Sequence, residues 1–352
     1  DLWHKKADGR SSCDYSFHMT IDDWNDEIKA EVPKMFEQGI SSFKMYMTYP
    51  AMMIGDKDLF YALEEIKRFG GIAGVHCENA GVIDALIEQH KADGKLVPGS
   101  HPECRPNATE AEAVAHLLRI CEVADTPVVI VHLSTRQALA EVMAARARGQ
   151  KVYVETCPHY LTLDESGYYE EDFRKAAGYI CAPPLRTKDD QNALWKGLYN
   201  GAIQTVSTDH CSFTLEQKEA GRGDFTKIPG GLPGVETRGV LLYTFGVAAG
   251  KITKEKMAEV LSENPAKLYG AWPRKGAILA GSDADIVVYD PEADTTIRGE
   301  DMISAAKYTP YEGIQTRGSI AQVYLRGQLA VDHGEVKTGA VGAFIPRKTG
   351  TL

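Results

Sequence analysis

The sequence contains no Cys-x-x-Cys pair, no block of basic residues, no internal repeat and no long apolar run. Each absence removes a class of protein. Its 7 cysteines (Cys13, Cys77, Cys104, Cys121, Cys157, Cys181 and Cys211) are odd in number and sit mostly in apolar or strand contexts, as reduced, buried thiols do. A fold stapled by disulfides is not expected, and a reducing cytoplasm is the expected compartment. The formal net charge of -10 argues against nucleic acid or an anionic membrane as the main partner, since both need a basic face. No apolar run approaches the roughly 18 residues that span a bilayer, and no signal peptide opens the chain. The expectation is a soluble, unsecreted protein. The chain opens on Asp1-Leu2-Trp3 without an initiator methionine, which suggests a processed product or a fragment.

What is present is ordinary in bulk. With 352 residues, 43% hydrophobic and 25% charged, the chain can bury one large core or two smaller ones. From Tyr15 onward, short apolar strands alternate with longer amphipathic segments, the mark of βα units around a parallel sheet. Strands are expected at residues 14–18, around Lys44, and at 72–75, 128–131, 151–156 and 202–206. Thr20 with Asp23 resembles a capping box that opens the first helix, whose apolar face is Ile21, Trp24, Ile28, Met35 and Phe36. The polar loop over 91–107 is long for a simple connection and is a candidate functional loop. From Trp272 the pattern changes to short strands at 286–289, 321–325 and 329–331, the last two joined across Arg326-Gly327, with no helices between them.

The expected fold class is therefore α/β: a (β/α)8 TIM-like barrel over 1–271, a small, partial all-β sandwich domain over 272–345, and a tail over 346–352. Only six strands are countable in the βα region. A closed barrel needs eight, in about 250 residues, so the chain reads as two units short.

In such a barrel, catalytic groups come from the C-terminal ends of several strands and converge at one mouth. Lys44, His76, His132 and Asp209 are read at such positions. A lysine amid apolar residues, here Phe43-Lys44-Met45-Tyr46-Met47-Thr48-Tyr49, commonly sends its ammonium outward, because a bare buried ammonium is expensive. A lone histidine is commonly a satisfied core or surface residue, and a lone aspartate after a strand a helix cap. Four such groups on successive strands point instead to a metal site. Two imidazoles and a carboxylate suit zinc or a similar divalent ion. A desolvated, deprotonated lysine can react with carbon dioxide to give a carbamate, a two-oxygen anion able to bridge two metals.

The runs 43–49, His76-Cys77-Glu78-Asn79, Val131-His132-Leu133-Ser134, Glu155-Thr156-Cys157-Pro158, Ala182-Pro183-Pro184-Leu185-Arg186 and Ser207-Thr208-Asp209-His210-Cys211-Ser212-Phe213 together resemble the dihydropyrimidinase and hydantoinase branch of the cyclic amidohydrolases. The resemblance covers about residues 14–343, with the motifs in order. It implies that Lys44 is carboxylated and bridges two divalent metals, most simply Zn2+, that His76 and His132 bind one metal, and that Asp209 binds the other and acts as general base. Tyr49 would donate its hydroxyl to the oxyanion at the attacked carbonyl. Tyr46 and Met47 would line the pocket for the ring substituent or pack in the core, and His159 and His210 would support the site from behind its ligands or be structural, rather than bind metal. The implied reaction is hydrolytic opening of a cyclic amide, a 5,6-dihydropyrimidine or 5-substituted hydantoin, to an N-carbamoyl amino acid by a metal-bridging hydroxide. A homo-oligomer, tetramer or dimer, is implied with it.

Three departures qualify the resemblance. The family's His-x-His pair, which completes the second metal's shell, occurs nowhere in the sequence. With the two-strand deficit, this suggests that an N-terminal portion is missing and that the chain alone is poorly active and weak in its second metal. Ala182 stands where relatives often have Ser, and Gly230 where they often have Asn; substrate contacts there survive if backbone groups make them. Allantoinase or dihydroorotase chemistry, and a non-enzymatic scaffold of the same fold, remain as alternatives, the last weighed against the four ligand-type residues.

Overall fold

The computed structural model describes residues 2–339 and 341–352. Six strands, β1 (Met19–Thr20), β2 (Ser42–Tyr46), β3 (Ile72–His76), β4 (Val128–Ile130), β5 (Val152–Thr156) and β6 (Thr205–Val206), pair in sequential order and all in parallel. Helices Asp26–Glu37, Asp56–Arg68, Asn107–Ala124, Arg136–Ala147 and Lys188–Tyr199 make the crossovers. This is the βα repeat read from the sequence, and its cause is visible in burial. Every residue of β3 and β4 is buried, which calls for the apolar runs 72–75 and 128–130, with His76 the one polar residue, at the end of β3. The helices each turn one stripe inward; Leu59, Ala62, Leu63 and Ile66 are the buried side of Asp56–Arg68. Among the described residues β1 and β6 are the edges of the sheet and are not joined.

Register places Lys44, Gly74, Val129 and Tyr153 side by side across β2 to β5. Because side chains alternate along a strand, Lys44, Tyr46, Gly74 and His76 share one face. Phe43, Met45, Val75, Val128 and Ile130 point the other way, into the large core shared with the helices. Ile72, Val129 and Val131 pack with Leu268 in a separate interior cluster beneath the site. A Cβ on Gly74 would lie 2.8 Å from Val131 Cγ1, so the glycine makes the room that lets β3 and β4 close beside Lys44.

The first unit starts later than its sequence suggests. Residues 14–18 run extended, with Tyr15 bridging to Phe344, while the strand ladder is formed by Met19 and Thr20. Thr20 pairs with Lys44 in the sheet and cannot also cap a helix. Asn25 does so instead, its side chain accepting from the Ile28 amide at 3.0 Å. Two helical segments after the parallel sheet are each α-helical at first (Arg238–Leu242, Lys254–Ala258) and then widen into a π turn (Tyr243–Val247, Glu259–Glu263).

Beyond residue 272 lie β7 (Ile286–Asp290), β8 (Thr295–Thr296), β9 (Gln315–Thr316), β10 (Ser319–Leu325), β11 (Gln328–Asp332) and β12 (Glu335–Val336). A four-stranded antiparallel sheet has the order β12-β11-β10-β7, and β8 and β9 form a ribbon of their own. Arg326 and Gly327, at φ 47° and 81°, make the tight β10–β11 turn. The segment between β8 and β9 includes a short 3-10 turn, Gly299–Asp301, and rests Ile297 and Tyr311 on Leu241. Among the described residues no helix is long and apolar enough to cross a membrane.

Candidate metal centre and active site

Lys44 lies in the middle of β2 rather than at a strand end, and its four-carbon stem brings Nζ to 3.5 Å from His132 Nε2. His76 is the last residue of β3, His132 lies just beyond β4, and Asp209 follows β6. Tyr49, His132 and Asp209 have left-handed backbones, at φ 70°, 41° and 46°, three of the seven non-glycine residues so strained among those described. Such strain costs about 1–3 kcal/mol per residue and persists where surrounding bonds enforce it. At His132 the enforcers are visible: the Leu133 amide donates to Glu155 O at 2.8 Å, and the Ser134 amide to the buried Glu110 carboxylate at 2.8 Å.

The imidazoles of His76 and His132 meet with Nδ1 and Nε2 3.0 Å apart. His76 Nε2 lies 2.8 Å from the fully buried Glu78 carboxylate, which also accepts from Arg105 Nη1 at 2.6 Å. A carboxylate acceptor fixes the proton on Nε2 and leaves Nδ1 as a lone pair facing His132. Burial pushes Glu78 up, but Arg105 and then His76 outweigh it and hold the carboxyl at about 2. Burial lowers both imidazoles, keeping them neutral.

These groups open into a cavity of about 690 Å3, lined also by Tyr49, Asp209, Ala182 and Gly230. Asp209 is open to water in that cavity, yet sits deep enough that burial raises its carboxyl, opposed by Lys44 and His76. Lys44 is lowered to about 8 by burial, against the pull of Asp209 and Glu155. Burial raises the Tyr49 hydroxyl, so it stays a donor; the Tyr49 ring packs 5.1 Å from that of His76, and the Arg105 guanidinium lies 5.9 Å from its centre.

A model of the amidohydrolase family matches residues 17–330. The chain belongs to that family, in its hydantoinase and dihydropyrimidinase branch. The D-hydantoinase of Streptomyces coelicolor is 42% identical over 99% of this chain and 75% of that protein, and a D-phenylhydantoinase of Escherichia coli is 40% identical over 99% and 75%. Among solved structures, the dihydropyrimidinase of Brevibacillus agri superposes with a TM-score of 0.97 at 39% identity, covering 100% of this chain and 77% of the other. The L-hydantoinase of Arthrobacter aurescens does so at 0.91 and 31%, covering 98% and 76%.

Membership of the amidohydrolase family implies a two-metal centre. The donors present fit a divalent cation. Two neutral imidazoles bring His76 Nδ1 and His132 Nε2 to 3.0 Å, the first tautomer-locked by a carboxylate, with an amine and a carboxylate on the same cavity. Among the described residues the one trio of His, Cys, Asp or Glu ligand atoms within 4.8 Å of one another is Asp14, Asp283 and Asp285, which are already paired with Lys275, Arg274 and Arg326. His76, His132 and Asp209 do not form such a trio among the described residues.

Of the substituent-pocket candidates, Tyr46 lines the cavity and Met47 packs against the core. Nothing lies within 4 Å of a Cβ built on Gly230, so a larger side chain would find space there and this residue leaves its backbone bare. His159 is buried with its ring against Tyr160, and His210 Nδ1 accepts from the Gly234 amide at 3.1 Å; neither lines the cavity. Sequence reasoning passed over Glu78, which sits inside a motif it singled out, and Arg105, which sits in the loop it flagged by length.

Proposed function

We propose that this amidohydrolase opens the ring of a 5-substituted hydantoin or 5,6-dihydropyrimidine by hydrolysis, giving an N-carbamoyl amino acid. The observation that carries the reading is the convergence of Lys44, His76, His132, Asp209 and Tyr49 on one cavity at the C-terminal mouth of the sheet. Relatives named hydantoinase and dihydropyrimidinase support it, and they favour it over the allantoinase, dihydroorotase and scaffold readings. His76 and His132 would hold one divalent ion and Asp209 a second, most simply zinc, with Lys44 shared as the carbamate formed when its neutral amine adds to carbon dioxide and releases a proton. The ions would supply an activated water and polarise the ring carbonyl.

The remaining chemistry belongs to side chains of this chain. Tyr49, kept protonated by its surroundings, donates to the carbonyl oxygen as negative charge builds there. Asp209 takes a proton from the attacking water and returns it to the departing ring nitrogen, for which a carboxyl raised above its usual range is suited. Water oxygen becomes part of the new carboxylate, and the carbon–nitrogen bond breaks. Bare backbone at Ala182 and Gly230 faces the rest of the ring.

The test is an assay of the protein, as the cell makes it and supplied with zinc and bicarbonate, on dihydrouracil and 5-phenylhydantoin. The expected result is stoichiometric N-carbamoyl product, lost in Lys44→Ala together with bound metal. Absence of product from both rings in metal-loaded protein would overturn the reading.

A further inference from the structure

One wall of the cavity is assembled from two segments distant in sequence, and a lysine that the hydrolytic scheme leaves unused lies between them. Lys218, on the short helix Leu215–Glu219, has no exposed surface. Its Nζ donates to Ile180 O at 3.0 Å and to Pro229 O at 2.9 Å. Ile180 leads into Cys181-Ala182, and Pro229 into Gly230-Gly231; Ala182, Pro229, Gly230 and Gly231 all face the cavity. The same two segments are stitched once more where the Gly231 amide donates to Ile180 O at 3.0 Å.

Other anchors hold only the first segment. His101 bonds Cys181 O at 2.7 Å, and the Tyr160 hydroxyl donates to Pro183 O at 2.7 Å. Among the described residues, Lys218 is the side chain that hydrogen-bonds to both. An ammonium buried against carbonyls alone is expensive, and among the described residues no carboxylate forms an ion pair with it. Its helix is fixed at the start by a reciprocal cap, Thr214 with Gln217, which sets where the amine arrives.

We propose that Lys218 is a positioning residue for ring recognition: it locks the 180–182 and 229–231 segments at one spacing, so that their backbone groups meet the substrate's ring together. The proposal rests on the cavity being the ring site. It differs from a stability role in what it moves. Lys218→Met keeps the side chain's length and removes its donors. Loss of the two hydrogen bonds should speed amide exchange over 228–234, Gly231 included, by about tenfold while β4 stays protected, and should raise KM for dihydrouracil by about tenfold with kcat within about threefold. Bound metal should be unchanged. Unaltered exchange in that loop, or a loosened loop with unaltered KM, overturns the proposal. If the wild-type protein opens no ring, the hydrolytic reading fails by itself, and the exchange measurement still decides whether Lys218 locks the segments. Should Lys218→Met not fold, Thr214→Ala, which frees the helix that carries the lysine, is expected to change exchange and KM in the same directions by a smaller factor.

Discussion

His76 has two ring nitrogens, and which one carries the proton decides whether it can bind a metal. Glu78 settles this, because a carboxylate held at about 2 by Arg105 and His76 accepts a hydrogen bond from Nε2–H and leaves Nδ1 free. Arg105 is indispensable to that arrangement, since without it Glu78 would be a fully buried charge with one imidazole for company. Glu78→Gln keeps the shape of the side chain but weakens the bias on the imidazole and strands the Arg105 charge. Metal affinity should then fall by about 10- to 100-fold, with the secondary structure intact. Chelator competition on purified protein reads this without any assay of turnover, and affinity equal to wild type would remove Glu78 from the site. Arg105 also lies over Tyr49, so the same variant is expected to disturb the oxyanion donor.

At the scale of the element, β3 and β4 must approach closely enough for His76 at the end of β3 and His132 just past β4 to bring two imidazoles to 3.0 Å. Gly74 is what permits the approach, because Val131 Cγ1 occupies the place its Cβ would take. Gly74→Val should destabilise the protein by about 1–3 kcal/mol, and Val131→Ala in the same chain should recover much of that loss by returning the volume. Thermal unfolding of the two single variants and the double variant measures the coupling; strictly additive losses would show that the contact does not set the spacing. These strands were legible in the sequence because burial on both faces forces runs such as Val128-Val129-Ile130, and the polar residue that ends such a run stands out. That is how His76, His132 and Asp209 could be found, and Lys44 by its isolation inside a run. The two-residue strands β8, β9 and β12 are too short for any period to show, and the π turns at 243–247 and 259–263 add a residue without altering the apolar pattern. Asn25 displaced Thr20 as a cap because sheet pairing, a tertiary fact, had already claimed Thr20. Glu78, Arg105 and Lys218 escaped for a related reason: each draws its meaning from a partner on another element, and nothing in the spacing of residues 78 and 105, or of 180, 218 and 229, announces that they meet.

Across the whole molecule, one acidic side chain ties the start of the chain to its C-terminal third. The Asp14 side chain is 6% exposed and accepts from Lys275 at 2.5 Å, from the Arg326 guanidinium at the tip of the β10–β11 hairpin, and from the Ala343 amide at 2.9 Å. Lys275 also pairs with Asp283 at 2.9 Å and with Asp285 at 2.5 Å, and Arg274 pairs with Asp283 at 3.0 Å, so three carboxylates share three cations in one cluster. Burial raises the Asp14 carboxyl, but the bonds from Arg326, Lys275 and Ala343 outweigh it and lower the group from 3.8 to about 2. A carboxyl lower in the folded than in the unfolded chain stabilises the fold at every pH above its unfolded value of 3.8, and that contribution drains away as pH falls towards about 2. Asp14→Asn removes the charge that Arg326 and Lys275 require, so it should lower the unfolding temperature at neutral pH and much less in acid. Plotted against pH, the curves of the wild type and of this variant should converge as the pH drops through the interval from 3.8 to about 2. Curves that stay parallel down to that interval would mean that the cluster, however well bonded, does not hold the two ends of the chain together.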